Sequence, residues 1–387
     1  MKAHVKLEEF SLLGGPLHRL GCRLGLVRGT SNTVALGLTL GFVSWGVLLA
    51  LALIEGISQQ IFTLSLIGGH VRLLLVIPLF FLCESIWDPR VTAFVQTIVR
   101  SGVVQPNELP ALESEIARIA RWKDSWVPEA LCLLAVVLIS LLAPHLQLSG
   151  TTTAPVAGSA LTDLTLTGQW YWVVCLTLFR FLMLRWLWRL GLWCYFLWRV
   201  SRLPLNLVPT HPDYAGGLGC LEIVHAHFTP LVLALSVLQS AMLVEDISSG
   251  RAPFDAVYPA FAFVLAVDAV LFLGPLFIFM PKLWACRVKG LSDYMIFASG
   301  YVRDFDQKWL KAKSRPQESP LGTADLQSLA DLGNSINVIR AMRLAPMSAR
   351  LVQDLLIVAV LPMLPLLLFK YPIADLMQKF FSSLVGL

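Results

Sequence analysis

Charge is what this sequence has least of. Of its 387 residues 14% are Asp, Glu, Lys or Arg, against 56% hydrophobic, whereas soluble domains carry about 25% charged residues. So little polar surface does not enclose a water-soluble fold of this length. A mean hydropathy of +0.70 points to lipid around much of the chain. Paired cysteines are lacking too. Cys22, Cys83, Cys132, Cys175, Cys194, Cys220 and Cys286 mostly fall in or beside apolar runs and form no C-x-x-C pair. That argues against a zinc ribbon or a disulfide framework and leaves them as small apolar filler. No cleaved leader is expected, because the first apolar run begins only at Val34 and is long enough to span. The net charge of +5 comes without an aromatic–basic motif, so nucleic acid is not an expected partner.

What is present is a succession of long apolar stretches, at 34–54, 71–87, 129–148, 170–189, 223–244, 258–284 and 351–370. They predict an all-α, polytopic transmembrane helical bundle of about 7 spans, each able to cross ~30 Å of hydrocarbon. The seventh is set apart because Pro362 and Pro365 could make it re-entrant. The whole chain, 1–387, reads as a single membrane domain. Segments 88–128 and 285–350 are its helical cytoplasmic connections, and 372–387 forms an amphipathic C-terminal helix. No internal repeat stands out.

Lys and Arg alternate between the connections. Segments 55–70 and 149–169 contain none and 245–257 contains only Arg251, whereas the N-terminal segment and the alternate connections are basic. This pattern predicts a cytoplasmic N-terminus. Amphipathic spacing in 107–126 (Leu112, Ile116, Ile119) and after Thr323, a prospective N-cap, predicts helices within the cytoplasmic connections.

Ionisable residues at membrane depth are costly and mark candidate sites. Arg180 and Asp268 lie about ten residues into their spans from the same side, ~15 Å deep, and are expected to form an intramembrane polar pair. Arg185 and Arg189 share a helix face, while Arg180 points roughly 140° away from Arg185 at 3.6 residues per turn. Glu84, Glu129 and Asp354, near the inner ends of other spans, are their prospective partners at the inner leaflet. Snorkelling to lipid phosphates is the plainer expectation for Arg185 and Arg189. At the outer face, solvation alone would account for Glu55, His70, Arg72, Glu245 and Asp246.

The segment from Arg199 to His227 concentrates polar chemistry. It holds Arg199, Arg202, His211, Asp213, Gly216, Gly217, Glu222, His225 and His227 among Pro204, Pro209 and Pro212. These make it a candidate cytoplasmic loop or gate. Glu222 and His225 stand at i, i+3, half of a di-iron ligand pattern whose second Glu-x-x-His is missing. His211, Asp213, Glu222 and His225 are the weak metal candidates. There is no H-E-x-x-H and no P-loop ending, so no cofactor is expected.

The string T-H-P-D-x-x-G-G-L-G at Thr210–Gly219, preceded by Arg-x-x-Arg-Leu, resembles one in uncharacterised bacterial multi-pass inner-membrane proteins. The resemblance implies a bacterial inner-membrane location and brings no activity. A channel or transporter is the leading functional expectation, with anions favoured by the Arg excess on the fourth span. A membrane-embedded enzyme at the inner interface and a signalling or assembly component are the alternatives. Expected partners are the lipid bilayer, further copies in a homo-oligomer, and a cytoplasmic protein at 285–350.

Overall fold

The computed structural model describes residues 10–27, 29, 31–146, 165–311 and 323–370. The expected helix at 372–387 and most of the 149–169 connection lie outside the described residues. Within them the chain is an all-α helical bundle in which no strand forms; Val104 and Leu205 make an isolated antiparallel bridge.

After a short helix α1 (Pro16–Arg23), α2 (Val34–Ile54) is apolar on every side. It packs on α3 (Ile67–Arg100) through Gly37 and Gly41. A Cβ at Gly37 would enter the Phe81 ring, and one at Gly41 would strike the Leu73 carbonyl. Small residues four apart let two membrane helices approach this closely. Helices α4 (Pro106–Asp124) and α5 (Val127–Leu146) meet at a 46° bend. Next, α6 runs without interruption over 166–202, ~55 Å. The chain then turns through a Pro/Gly-rich knot into α7 (Cys220–Ala226) and α8 (Thr229–Ser248). Helix α9 (Phe254–Leu310) is long, with a π turn at Ala269–Leu273 and a 3-10 stretch at Gly274–Phe279. It is followed by α10 (Ala324–Arg340) and α11 (Ala349–Phe369).

Among the described residues five helical segments are long and apolar enough to cross a bilayer, or six if the bent α4–α5 pair forms one span. The protein is membrane-embedded. The fourth apolar stretch of the sequence falls outside that set, although it lies on a helix of ample length, α6, which carries Arg180, Arg185, Arg189, Arg199 and Arg202. The last stretch does not turn back at its prolines. It tightens into a 3-10 helix over Leu361–Phe369 and stays against α8, where Ser240 Oγ donates to the Pro362 carbonyl at 2.6 Å. Proline cannot donate an amide hydrogen, so the narrower helix accommodates Pro362 and Pro365 without a reversal. Thr323 occupies the N-cap position of α10 without a side-chain capping bond; Ser348 does cap α11, accepting from the Leu351 amide at 3.2 Å.

The bundle centre is aromatic. Trp87 of α3 lies 5.8 Å from Trp193 and 6.0 Å from Trp186, both on α6, and 5.1 Å from Phe228. Phe228 in turn meets Phe272 of α9 at 5.2 Å. Trp87, Trp193, Phe228 and Phe272 are fully buried, so α3, α6, α8 and α9 share one core.

Candidate functional site

Helical spacing creates the site. Glu84 and Asp88 are four apart on α3, Arg185 and Arg189 four apart on α6, so each pair projects from one face. Where the faces meet, Arg185 Nη1 donates to Glu84 Oε1 at 2.7 Å and Arg185 Nε to Glu129 Oε1 of α5 at 3.1 Å. Arg189 Nη1 pairs with the same Glu84 oxygen. Arg185, Arg189 and Glu84 are buried. They therefore do not snorkel to lipid phosphates; α3 and α5 bring carboxylates to them and enclose the ions.

The cluster is closed by the N-terminal segment. The Leu12 amide donates to Asp88 Oδ1 at 2.7 Å, the Leu13 amide to the same oxygen at 3.2 Å, and Ser11 Oγ to Oδ2 at 2.7 Å. The Leu17 amide reaches Glu129 Oε2 at 3.0 Å, and Lys123 Nζ holds the Leu13 carbonyl at 2.9 Å. Gly15 makes this approach possible: its φ is +89°, and a Cβ would run into the Glu129 carboxylate. Residues 10–18 thus form a strap across α3, α4 and α5. His18 belongs to it, and burial, reinforced by the Arg189 charge, pushes its imidazole below the ordinary histidine value.

Donors outnumber acceptors inside. Arg185 Nη2, Arg189 Nη2, Trp87 Nε1 and Trp186 Nε1 are buried without a hydrogen-bond partner among the described residues, and on the other side only Glu84 Oε2 and the ring nitrogen His18 Nδ1 are in the same state. The Arg189 guanidinium lies 5.9 Å from the Trp186 ring centroid. Buried N–H groups left without acceptors are costly, and hydrogen-bond acceptors relieve that cost.

The expected Arg180–Asp268 pair does not form. Arg180 Nη1 donates instead to Ser140 Oγ of α5 at 3.0 Å. Asp268 is buried on α9 with both carboxylate oxygens unpartnered among the described residues. Equal depth placed them on one level, but their helices turn them to different neighbours. Asp354 is exposed on α11.

The knot is consumed by its own folding. Asp213 accepts from the amides of Ala215 (2.8 Å), Gly217 (3.1 Å) and Gly219 (2.7 Å), and stands 2.7 Å from His211 Nδ1. Burial would raise the Asp213 carboxyl, but these backbone amides and His211 together hold it below its ordinary range. Gly216 and Gly217 take φ of +65° and +98°, which this turn requires. Glu222 leaves for Arg343 (3.0 Å) and Ser348, tying α7 to the approach of α11. His225 turns inward, with Nε2 accepting from Trp193 Nε1 at 3.2 Å and Nδ1 2.6 Å from the Phe272 carbonyl. His227 accepts from Arg90 Nε at 3.2 Å. Glu222 and His225 therefore diverge despite their i, i+3 spacing. No grouping of three or more His, Cys, Asp or Glu suited to a metal exists among the described residues. Arg199 is spent on Glu115 of α4 at 2.5 Å, and Arg202 lies 5.3 Å from the Trp198 ring centroid. The loop folds back on the bundle: Asn206 N donates to the Val103 carbonyl at 2.8 Å, and Pro204, Leu207 and Pro209 line a cavity with Lys282 and Lys289 of α9.

The charges expected at the outer face are also engaged rather than simply solvated. Glu55 accepts from Thr167 Oγ1 (2.6 Å) and from the amides of Leu166 and Thr167, which lowers its carboxyl from the ordinary value and pins the start of α6. Arg72 is buried with Nη1 2.6 Å from Tyr171 Oη, and Glu245 accepts from the Gly68 amide at 2.8 Å. His70 accepts from Trp45 Nε1 at 2.8 Å.

Sequence reasoning missed Asp88, His18 and the strap. The four-residue step from Glu84 to Asp88 was the available signal, since it matches the step from Arg185 to Arg189. Comparison with protein-family models, curated proteins and solved structures gives no match to this chain.

Proposed function

We propose that this membrane protein is a transporter or channel for small anions, and that the Arg185–Arg189 cluster is where the anion is held. One observation carries the proposal: two buried guanidinium groups share the Glu84 carboxylate, and the N–H groups left over outnumber the acceptors around them. Arginine forks match oxyanions, and their attraction for charge grows as water is excluded. Glu84 and Glu129 hold the guanidinium groups in place, and they limit the affinity of the site so that an anion can also leave.

The charge alternation and the T-H-P-D-x-x-G-G-L-G resemblance support a bacterial inner membrane with a cytoplasmic N-terminus. In that orientation the strap over the cluster is its cytoplasmic cover. A homo-oligomer and a cytoplasmic partner at 285–350 remain part of the proposal.

The test is flux through the full chain in liposomes, measured for chloride, phosphate, potassium and protons, with Arg189→Gln and Arg180→Gln alongside. Anion flux lost in Arg189→Gln and largely kept in Arg180→Gln is expected. Equal potassium permeation overturns the anion assignment. A folded, monodisperse wild type that moves none of these ions overturns transport.

A further inference from the structure

The carboxyl of Asp268 opens onto a cavity of about 110 Å³ between α8, α9 and α11. Its walls include Val232, Leu265, Phe272, Leu355 and Ala359, and among the described residues Asp268 supplies the one polar side chain in the lining. Asp268 is 7% exposed, and neither carboxylate oxygen has a partner among the described residues.

An ionised carboxylate in such surroundings is expensive, and either a cation or a proton would relieve it. A metal ion needs several oxygen ligands, and this lining offers only the one carboxylate. A proton needs nothing else.

The placement of Asp268 on α9 adds to this. A π turn begins at the next residue, Ala269, and the helix tightens to 3-10 geometry from Gly274. π turns interrupt regular helices frequently at functional positions. Within this turn the Phe272 carbonyl bonds His225, His225 bonds Trp193, and Trp193 packs on Trp87. Trp87 packs on Trp186, against which the Arg189 guanidinium lies. One continuous buried chain of contacts therefore joins the helix carrying Asp268 to the arginine cluster. Of the titratable groups on the three surrounding elements, none lines the cavity besides Asp268. His225, on the adjoining α7, is reached through the Phe272 carbonyl, and Asp354 of α11 is exposed.

We propose that Asp268 is a proton-binding site, and that its loading and release couple proton movement to anion movement at the arginine cluster. The first half stands on the cavity alone; the coupling rests on the anion-transport assignment above. The step is a simple exchange: the carboxylate takes up one proton to become the neutral acid and returns it to water on the other side. The neutral acid is compatible with the apolar walls.

Two measurements test the two halves separately. A hydrophobic carbodiimide adds only to a protonated carboxyl, across its O–H, and rearranges to a stable N-acylurea that mass spectrometry locates. The full-length wild type in liposomes is expected to be labelled at Asp268, less as pH rises, and Asp268→Asn is expected to lack that label. Absence of pH-dependent labelling at Asp268 overturns the proton site, whatever the anion data show. In parallel, an entrapped pH dye reports proton entry when phosphate or chloride is added outside. Wild type is expected to acidify inside; Asp268→Asn is expected to lose that acidification while still exchanging labelled anion between equal concentrations. Asp268→Glu is expected to restore it. Coupled acidification unchanged in Asp268→Asn overturns the coupling. Labelling at Asp268 without any anion flux in the wild type retains the proton site and removes the anion assignment. If Asp268→Asn does not fold, wild-type labelling still decides the site.

Discussion

The Arg199–His227 knot and the Arg185–Arg189 cluster invert each other. The knot carries three histidines, two acidic residues and a glycine-rich turn, the usual vocabulary of a site. Folding uses nearly all of it: Asp213 on three amides, Glu222 on Arg343, His225 between Trp193 and Phe272. The cluster looks in sequence like arginines bound for lipid headgroups, yet it is buried and retains unmet hydrogen-bonding capacity. A polar residue whose valences are filled by its own loop has little left for a ligand. Capacity left over in a dry interior is the better sign of a site.

The contrast breaks most forcefully at Glu84. Replacing it by Gln leaves Arg185 paired with Glu129 alone and takes from Arg189 the carboxylate it pairs with, and about 3–5 kcal/mol of stability should be lost. Thermal unfolding in detergent reads this. Adding Arg189→Gln to Glu84→Gln should recover part of the loss, because the uncompensated charge goes with it. A simple sum of the two single effects would mean that they do not interact.

Asp213→Ala should cost about 1–3 kcal/mol by stripping three loop amides of their acceptor. The effect belongs to stability: the variant should unfold at lower temperature yet keep anion flux in the folded fraction. Because the native carboxyl lies below its ordinary range, its contribution is present above about pH 4 and is lost as pH falls through the folded value. An acid-unfolding curve flattened by Asp213→Ala would show that sign.

His18 offers a gentler probe of the strap. Its folded value is lowered, so the docked strap favours neutral imidazole while the released strap follows the ordinary value of about 6.5. Docking is therefore fully stable above that pH and weakens as pH falls below it. The protection factors of the Leu12 and Leu13 amides, with the intrinsic pH dependence of exchange divided out, should fall on acidification toward pH 5.5, and His18→Gln should remove that fall. Protection factors that are flat with pH would detach His18 from strap docking.

The smallest effect expected is that of a chelator on unfolding temperature, which should be none. A clear drop would mean that the knot holds a metal through His211 and Asp213, and the contrast between the two regions would collapse.

Much of the architecture was legible in advance because lipid imposes a simple rule: apolar stretches long enough to span become helices. The pairing of Arg185 and Arg189 with Glu84 and Glu129 was also readable, from spacing and from position near the same ends of their helices. The Arg180–Asp268 pair failed because depth fixes a level and leaves rotation about the helix axis open. The strap was invisible because hydrogen bonds donated by the amides of Leu12, Leu13 and Leu17 leave no trace in side-chain identity.

By itself the sequence determined the solvent of this protein, its helical class and which residues share a helix face, since these follow from local composition and a period of 3.6. Tertiary structure alone decided which polar groups are satisfied. Hydrogen-bond valence is filled by whatever happens to be a few ångströms away, and in this bundle those neighbours come from distant turns of other helices: Glu84 for Arg189, Phe272 for His225, and an apolar cavity for Asp268.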